Sequence, residues 1–297
     1  LGARVFSTPF EPGSVIKVAT FAALLNEGKI TPRTEVLVPG VYTEGLPEGS
    51  SIKDSWAHGD LRLTATGVLV QSSNVGTAIL SKRLSLQKRH DYLEAFGFNQ
   101  DTAVDFFGES SGSVLPVDQT DAITDLTQQF GQGMSATAAQ IAGLYQVIGN
   151  GGVKMPLVLV DGCEWPDGTW TQKPTFEGER VVSEAAAEAT VQMMEVTARE
   201  GLIKDLVKIP GYRVAAKTGT AEVAENGRYG DERIVSVAGL VPAGDPKYAI
   251  VVSFVKPDTM RTSAAAAPAF NAIMKQVIKT FRITPQTKGA PSLPTTW

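Results

Sequence analysis

Apolar residues first recur at helical spacing over residues 14–26, where Val15, Val18, Ala19, Ala22 and Leu25 share a face and Gly28 supplies the stop. Residues 36–59 are rich in Gly, Pro and Ser and read as loop. Helices are predicted over 61–70 and 75–84, with the polar break Gln71-Ser72-Ser73-Asn74 between them, and over 86–96, ending at Gly97. Residues 108–124 look irregular. The helical period returns over 137–148 and stops at Gly149-Asn150-Gly151-Gly152, and a strand is predicted over 153–160. Ser183 stands at the N-cap position of a helix reaching Arg199. The period then changes: 214–216, 234–241 and 248–255 are strand-like, with Gly244-Asp245-Pro246 as the hairpin turn between the last two. Residues 264–281 form a closing helix and 284–297 a tail. No internal repeat is present. The pattern predicts a helical middle region leading into an antiparallel sheet backed by a C-terminal helix.

With 297 residues, 43% of them hydrophobic, the chain can bury the core of one large domain or of a domain with an inserted subdomain. Charged residues make up 20% and the net charge is -4, which argues against a polyanion-binding surface and so against nucleic acid as a partner. Apolar runs such as 248–255 are too short to span a bilayer as a helix, and no secretory signal is present. The chain opens at Leu1 rather than at methionine and reads as a fragment, any targeting segment lying upstream. The single cysteine, Cys163, excludes an intramolecular disulfide and reads as a small residue in a Gly-rich turn. Two histidines, His58 and His90, are too few for most metal-ligand clusters.

Against this background the reactive candidate is Ser14 with Lys17, a Ser-x-x-Lys pair at the start of the first helix. Three residues make nearly one turn, so both side chains share a face. A serine hydroxyl is a poor nucleophile until a base takes its proton, and a desolvated lysine can be that base. The helix N-terminus favours negative charge developing nearby. Alone the motif is weak. Ser50/Lys53, Ser85/Lys88 and Ser253/Lys256 match it too, but they fall in a polar loop, at the cap of a surface helix and on opposite faces of a strand. Two companions strengthen it. Ser72-Ser73-Asn74 is the only Ser-x-Asn, placed in a break where polar side chains can enter a cleft. Lys217-Thr218-Gly219-Thr220 holds the only Lys-Thr-Gly, with hydroxyls, a positive charge and a glycine past which a substrate backbone could run.

Ser-x-x-Lys, a Ser-x-Asn motif and Lys-Thr-Gly in this order resemble the signature of penicillin-binding proteins and serine β-lactamases, here with serine at the middle of the second motif. Over nearly the whole chain the sequence is similar to class B penicillin-binding proteins of the cell-division type, in a style close to actinobacterial members. Phe10-Glu11-Pro12-Gly13-Ser14, Gln71-Ser72-Ser73-Asn74-Val75 and Phe96-Gly97-Phe98 support the resemblance. So do Gly131-Gln132-Gly133 with Thr137 and Gln140, Asn150-Gly151-Gly152 and the turn from Pro242 to Pro246.

The resemblance implies an α/β fold of the α+β type: an antiparallel sheet flanked by helices, plus an all-helical subdomain. It implies a transpeptidase domain over residues 1–283 with a tail over 284–297. Ser14 would attack the carbonyl between the terminal D-alanines of a peptidoglycan stem peptide, and Lys17 would accept its proton. Ser72 and Asn74 would relay protons and hold the peptide amide. Lys217, Thr218 and Thr220 would bind the terminal carboxylate or that of a β-lactam, with Gly219 and Ser73 also counted in the binding site. The N–H groups of Ser14 and Thr220 would form the oxyanion hole. No metal or cofactor is implied. The implied partners are division or elongation proteins, including a glycosyltransferase, at the outer face of the cell membrane. Family members have sheet strands, a pedestal domain and an anchor before the nucleophile, and only residues 1–13 precede Ser14 here, so those strands are expected elsewhere in the protein.

Three rivals use similar motifs. A serine β-lactamase needs a glutamate that positions water, but Glu94, Glu109 and Glu164 lack the Glu-x-x-x-Asn arrangement, and the interval from Asn74 to Lys217 is long for that class. A D,D-carboxypeptidase would pass the acyl group to water, and a β-lactam sensor would acylate once and signal. A Ser-His-Asp hydrolase lacks a Gly-x-Ser-x-Gly elbow. His90, beside Lys88 and Arg89, reads as solvated surface, and His58 as packing at a loop or cleft rim.

Overall fold

The computed structural model describes residues 3–102, 104, 106–171, 177–225, 228–286 and 289–297. A 3-10 turn at Gly13–Ile16 runs straight into helix α1 (Lys17–Asn26), whose residues Lys17 to Leu24 are all buried. A helix covered on every side is central to its domain. Here it places the Ser14–Lys17 pair at the meeting point of the other elements.

Strand β1 (Glu35–Val38) pairs antiparallel with β2 (Leu61–Thr64). The helix expected over 61–70 is therefore half strand. Thr64 accepts a hydrogen bond from the Gly67 N–H and so starts helix α2 (Ala65–Gln71) only at Ala65. The expected loop over 36–59 also holds a short ladder, Val41–Tyr42 against Ile52–Lys53. Helices α3 (Asn74–Ser81) and α4 (Leu86–Ala95) follow, capped by Ser73 and Ser85. The expectation of a solvated charged face on α4 is corrected at two residues. Arg89 is buried in a bidentate ion pair with Asp125, and the His90 side chain is only 11% exposed. The irregular stretch over 108–124 passes into a short helix, Ala122–Gln128, capped by Asp121.

Helix α5 (Ala138–Gly149) opens with a capping box between Thr137 and Gln140, and the Gln140 amide also donates to the carbonyls of Gln100 and Ser111. The strand expected over 153–160 shrinks to Val153–Lys154, paired with Glu179–Arg180. Val158, Leu159 and Val160 are exposed, and an apolar run without a partner edge makes no ladder. Cys163 lies exposed in a two-residue strand, Cys163–Glu164, rather than in a turn. Helix α6 (Glu184–Glu200) starts at Ser183 as expected.

The sheet consists of β3 (Ala215–Glu225), β4 (Arg228–Val241) and β5 (Tyr248–Val255), antiparallel in the order β5-β4-β3. The first two outrun the apolar segments that signalled them, because their outer halves pair charged residues, Arg233 opposite Glu222 with an ion pair of 2.9 Å. One sheet face meets α5 and α6. The other meets helix α7 (Ala267–Thr280), where Phe270 and Met274 pack with Val237, Val241, Ile250 and Val252. Burying side chains of this size contributes roughly 1.5–3 kcal/mol each. Among the described residues no helix is long and apolar enough to cross a membrane. The tail packs back on the domain. Arg199 donates to the Pro291 carbonyl, and Thr64 uses its N–H and its hydroxyl to reach the carbonyls of Thr295 and Pro294.

Candidate active site

A cleft of about 500 Å³ opens between the sheet edge at β3 and the helices, and Ser14, Ser72, Asn74, Thr218 and Thr220 all line it. Local backbone geometry explains why Ser14 sits there. Gly13 has φ +58°, and a side chain on it would meet the Thr220 carbonyl oxygen at 2.7 Å. Gly13 also donates its N–H to the Gly131 carbonyl at 2.9 Å, pinning the nucleophile turn to Gly131-Gln132-Gly133. Glu11 adds a second tie, accepting the Gly133 N–H and the Tyr229 hydroxyl, each at 2.9 Å. Burial pushes the Glu11 carboxyl above the ordinary range, and its second oxygen has no hydrogen-bond partner among the described residues.

Ser72 ends α2 in the left-handed conformation, φ 57°, which is uncommon for serine and turns its side chain out of the helix line. Its Oγ accepts a hydrogen bond from Lys217 Nζ at 2.8 Å and lies 3.4 Å from Lys17 Nζ. Lys17 Nζ also donates to the Ser72 carbonyl and, at 2.8 Å, to Asn74 Oδ1. The hydrogen bonds of Lys17 thus run to the second motif rather than to Ser14. Lys217 completes the set by donating to the Thr218 carbonyl at 3.0 Å.

Both amines are withdrawn from solvent. Desolvation holds Lys17 well below the ordinary lysine range, helped by repulsion from Lys217 and opposed by the nearby charge of Asp54. Desolvation likewise brings Lys217 down to about 7. A neutral amine at Lys17 has a lone pair available for a proton.

Strand alternation sorts the third motif. Thr218 and Thr220 face the cleft, Gly219 faces the nucleophile turn, and Lys217 reaches the Ser72 hydroxyl. Gly219 therefore answers to a different neighbour than a substrate backbone. A side chain there would lie 2.9 Å from the Pro12 carbonyl oxygen and 3.0 Å from Val15. Ser73 is likewise scaffold rather than binding surface: it is wholly buried, and its Oγ accepts the Gly76 N–H at 2.8 Å as the cap of α3. Glu94, Glu109 and Glu164 stay out of the cleft, whose one carboxylate among the described lining residues is Glu200. One neighbour of the site, Asp54, went unread in the sequence, and His58, read there as packing at a loop or cleft rim, is its partner. Asp54 accepts the Asn74 N–H at 2.5 Å and the His58 Nε2–H at 3.0 Å. The i, i+4 spacing of the two was the only sequence signal available.

A family model described as the penicillin binding protein transpeptidase domain matches residues 1–275. The chain belongs to that family. It is 36% identical to penicillin-binding protein PbpB of Mycobacterium tuberculosis over 285 residues, 92% of this chain and 42% of the relative. It is 34% identical to the peptidoglycan D,D-transpeptidase FtsI of Escherichia coli K12, over 95% of this chain and 46% of the relative. The solved structure of penicillin-binding protein 3 from M. tuberculosis complexed with ampicillin superposes with a TM-score of 0.92 at 34% identity, covering 100% of this chain and 68% of that one. The resemblance to class B members and the expected fold are both borne out. This penicillin-binding protein transpeptidase domain spans less than half the length of the curated relatives it matches.

Proposed function

We propose that this domain is the acyl-transfer unit of a serine D,D-transpeptidase that cross-links peptidoglycan and is acylated by β-lactams. The observation that supports this most is the convergence of all three motifs on one cleft, with Ser72 Oγ between two buried lysines and Ser14 on the same wall. Ser14 Oγ attacks the carbonyl joining the terminal D-alanines of a stem peptide while its proton passes to neutral Lys17. The N–H groups of Ser14, at the unpartnered start of its turn, and of Thr220 stabilise the oxyanion. Collapse breaks the peptide bond. The departing D-alanine amine takes the proton through Ser72, leaving an ester on Ser14. The amine of a second stem peptide then attacks this ester and restores the serine hydroxyl. Thr218 and Thr220 hold the terminal carboxylate with Lys217 behind them, and Asn74 holds Lys17 and the donor amide.

With a relative named as a peptidoglycan D,D-transpeptidase, the parent protein is proposed to act at the outer face of the cell membrane beside division or elongation proteins, a glycosyltransferase among them. The test supplies a D-Ala-D-Ala-terminated stem-peptide analogue with a D-amino acid acceptor. Release of D-alanine together with the exchanged peptide supports transpeptidation. Hydrolysed peptide alone indicates a carboxypeptidase, and a penicilloyl adduct lost within seconds indicates a β-lactamase.

A further inference from the structure

The Asp54 side chain is fully shielded from solvent. Its Oδ1 accepts the N–H groups of Asn74 at 2.5 Å and Val75 at 3.0 Å, the first two residues of α3. Its Oδ2 accepts the N–H of His58 Nε2 at 3.0 Å, while His58 Nδ1 lies 2.6 Å from the Gly59 carbonyl oxygen. The preceding residue, Lys53, offers its carbonyl to Asn74 Nδ2 at 3.3 Å. The end of one short strand therefore grips Asn74 twice. Asp54 fixes its backbone, and the Lys53 carbonyl sets the flip of its amide, so that Oδ1 faces Lys17 Nζ at 2.8 Å.

Helix capping explains part of this, since Ser73 Oγ takes only the Gly76 N–H and Asp54 Oδ1 answers the N–H groups of Asn74 and Val75. It does not explain the link of Oδ2 to His58 or the grip of the Lys53 carbonyl on the Asn74 amide, and burying a charged acceptor costs free energy unless such partners compensate. We propose that Asp54, braced by His58, is a positioning residue of the acyl-transfer centre, fixing Asn74 and through it the place of the Lys17 amine. This rests on the transpeptidase reading. Two charged groups bear on Lys17, Lys217 from β3 and Asp54 from the loop, with opposite effects, and His58 is the titratable group facing Asp54.

The test compares wild type with Asp54→Asn, which keeps an acceptor for Asn74 and removes the charge. Acylation by a fluorescent penicillin is followed across roughly pH 5 to 9, beside the melting temperature and the Lys17 titration seen by NMR with ¹³C-labelled lysine. The variant is expected to acylate at least about ten-fold more slowly with a melting temperature close to wild type. Its Lys17 titration and the acid limb of its acylation profile should both move to lower pH, since an opposite charge has gone. Unchanged acylation overturns the proposal, as does a parallel fall in rate and stability with neither titration moved. His58→Phe keeps the Asp54 charge and frees one oxygen. It should slow acylation less and leave the acid limb in place, and it decides the question if Asp54→Asn does not fold: a wild-type rate in it then overturns the proposal. If wild type is not acylated at Ser14, the transpeptidase reading fails, while the NMR titration still decides whether Asp54 acts on Lys17.

Discussion

Two lysines that meet at Ser72 behind the cleft, both cut off from water, define the chemistry at the scale of single residues. Removing Lys17 takes away the base while leaving a small void, so Lys17→Ala should slow penicillin acylation by about 10²–10⁴-fold, with an unchanged far-ultraviolet circular dichroism spectrum as the check on folding. Lys217 makes a prediction about stability. The native amine loses its proton at about 7, whereas the unfolded chain holds it until about 10.4. Between those values the unfolded state binds more protons, so this site's contribution to stability rises with pH across the window and is least favourable below it. Lys217→Met should therefore raise the stability measured by denaturant unfolding near pH 6, by a margin that shrinks as pH rises above about 7, even as acylation is lost. The motif residues at this scale were legible because their spacing is local: Ser14 with Lys17, Ser72 with Asn74, and the run from Lys217 to Thr220. Ser73 and Gly219 show the limit. Their residue types fitted the motif, but which way each faced depended on a helix cap and on strand alternation. Asp54 was hidden because it lies in a loop without periodic signal and its partner Asn74 lies in another element, beyond β2 and α2.

Among elements, the nucleophile turn is held by contacts that leave no room for a side chain. A Cβ on Gly131 would stand 2.2 Å from the Gly13 carbonyl oxygen, a backbone atom that cannot swing aside. Gly131→Ala should thus displace the Ser14 turn, lowering stability by roughly 1–3 kcal/mol and acylation with it; a variant with wild-type melting temperature and acylation rate would contradict this. Helix starts were readable where a capping side chain announces them, as at Ser85, Thr137 and Ser183. The switch at Thr64 was not, because a short apolar run such as Leu61 to Val70 fits both periods until its pairing with β1 is known. The strand expected over 153–160 failed for the complementary reason: its residues had the composition of a strand but only Val153–Lys154 found a neighbour.

For the molecule as a whole, the sheet with α7 on one face and α5 and α6 on the other was visible in outline, since the change from helical to alternating period marks where the sheet begins. The use made of the tail was not visible, because Pro- and Thr-rich sequence carries no periodicity. A Cβ on Gly67 would stand 1.8 Å from the Thr295 carbonyl oxygen, so α2, which is capped by Ser72, lies directly under the tail. Gly67→Ala should expel the C-terminal residues, seen as faster proteolytic trimming beyond Ile283 and a lower melting temperature; trimming at the wild-type rate would refute it. The central claim concerns what Ser14 does in the assembled cleft, and the direct measurement is peptide mapping by mass spectrometry after incubation with a labelled penicillin. One adduct on the peptide containing Ser14, persisting for many minutes to hours and absent from Ser14→Ala, is the expected result. Labelling of another residue, or of Ser14→Ala at the wild-type rate, would contradict it.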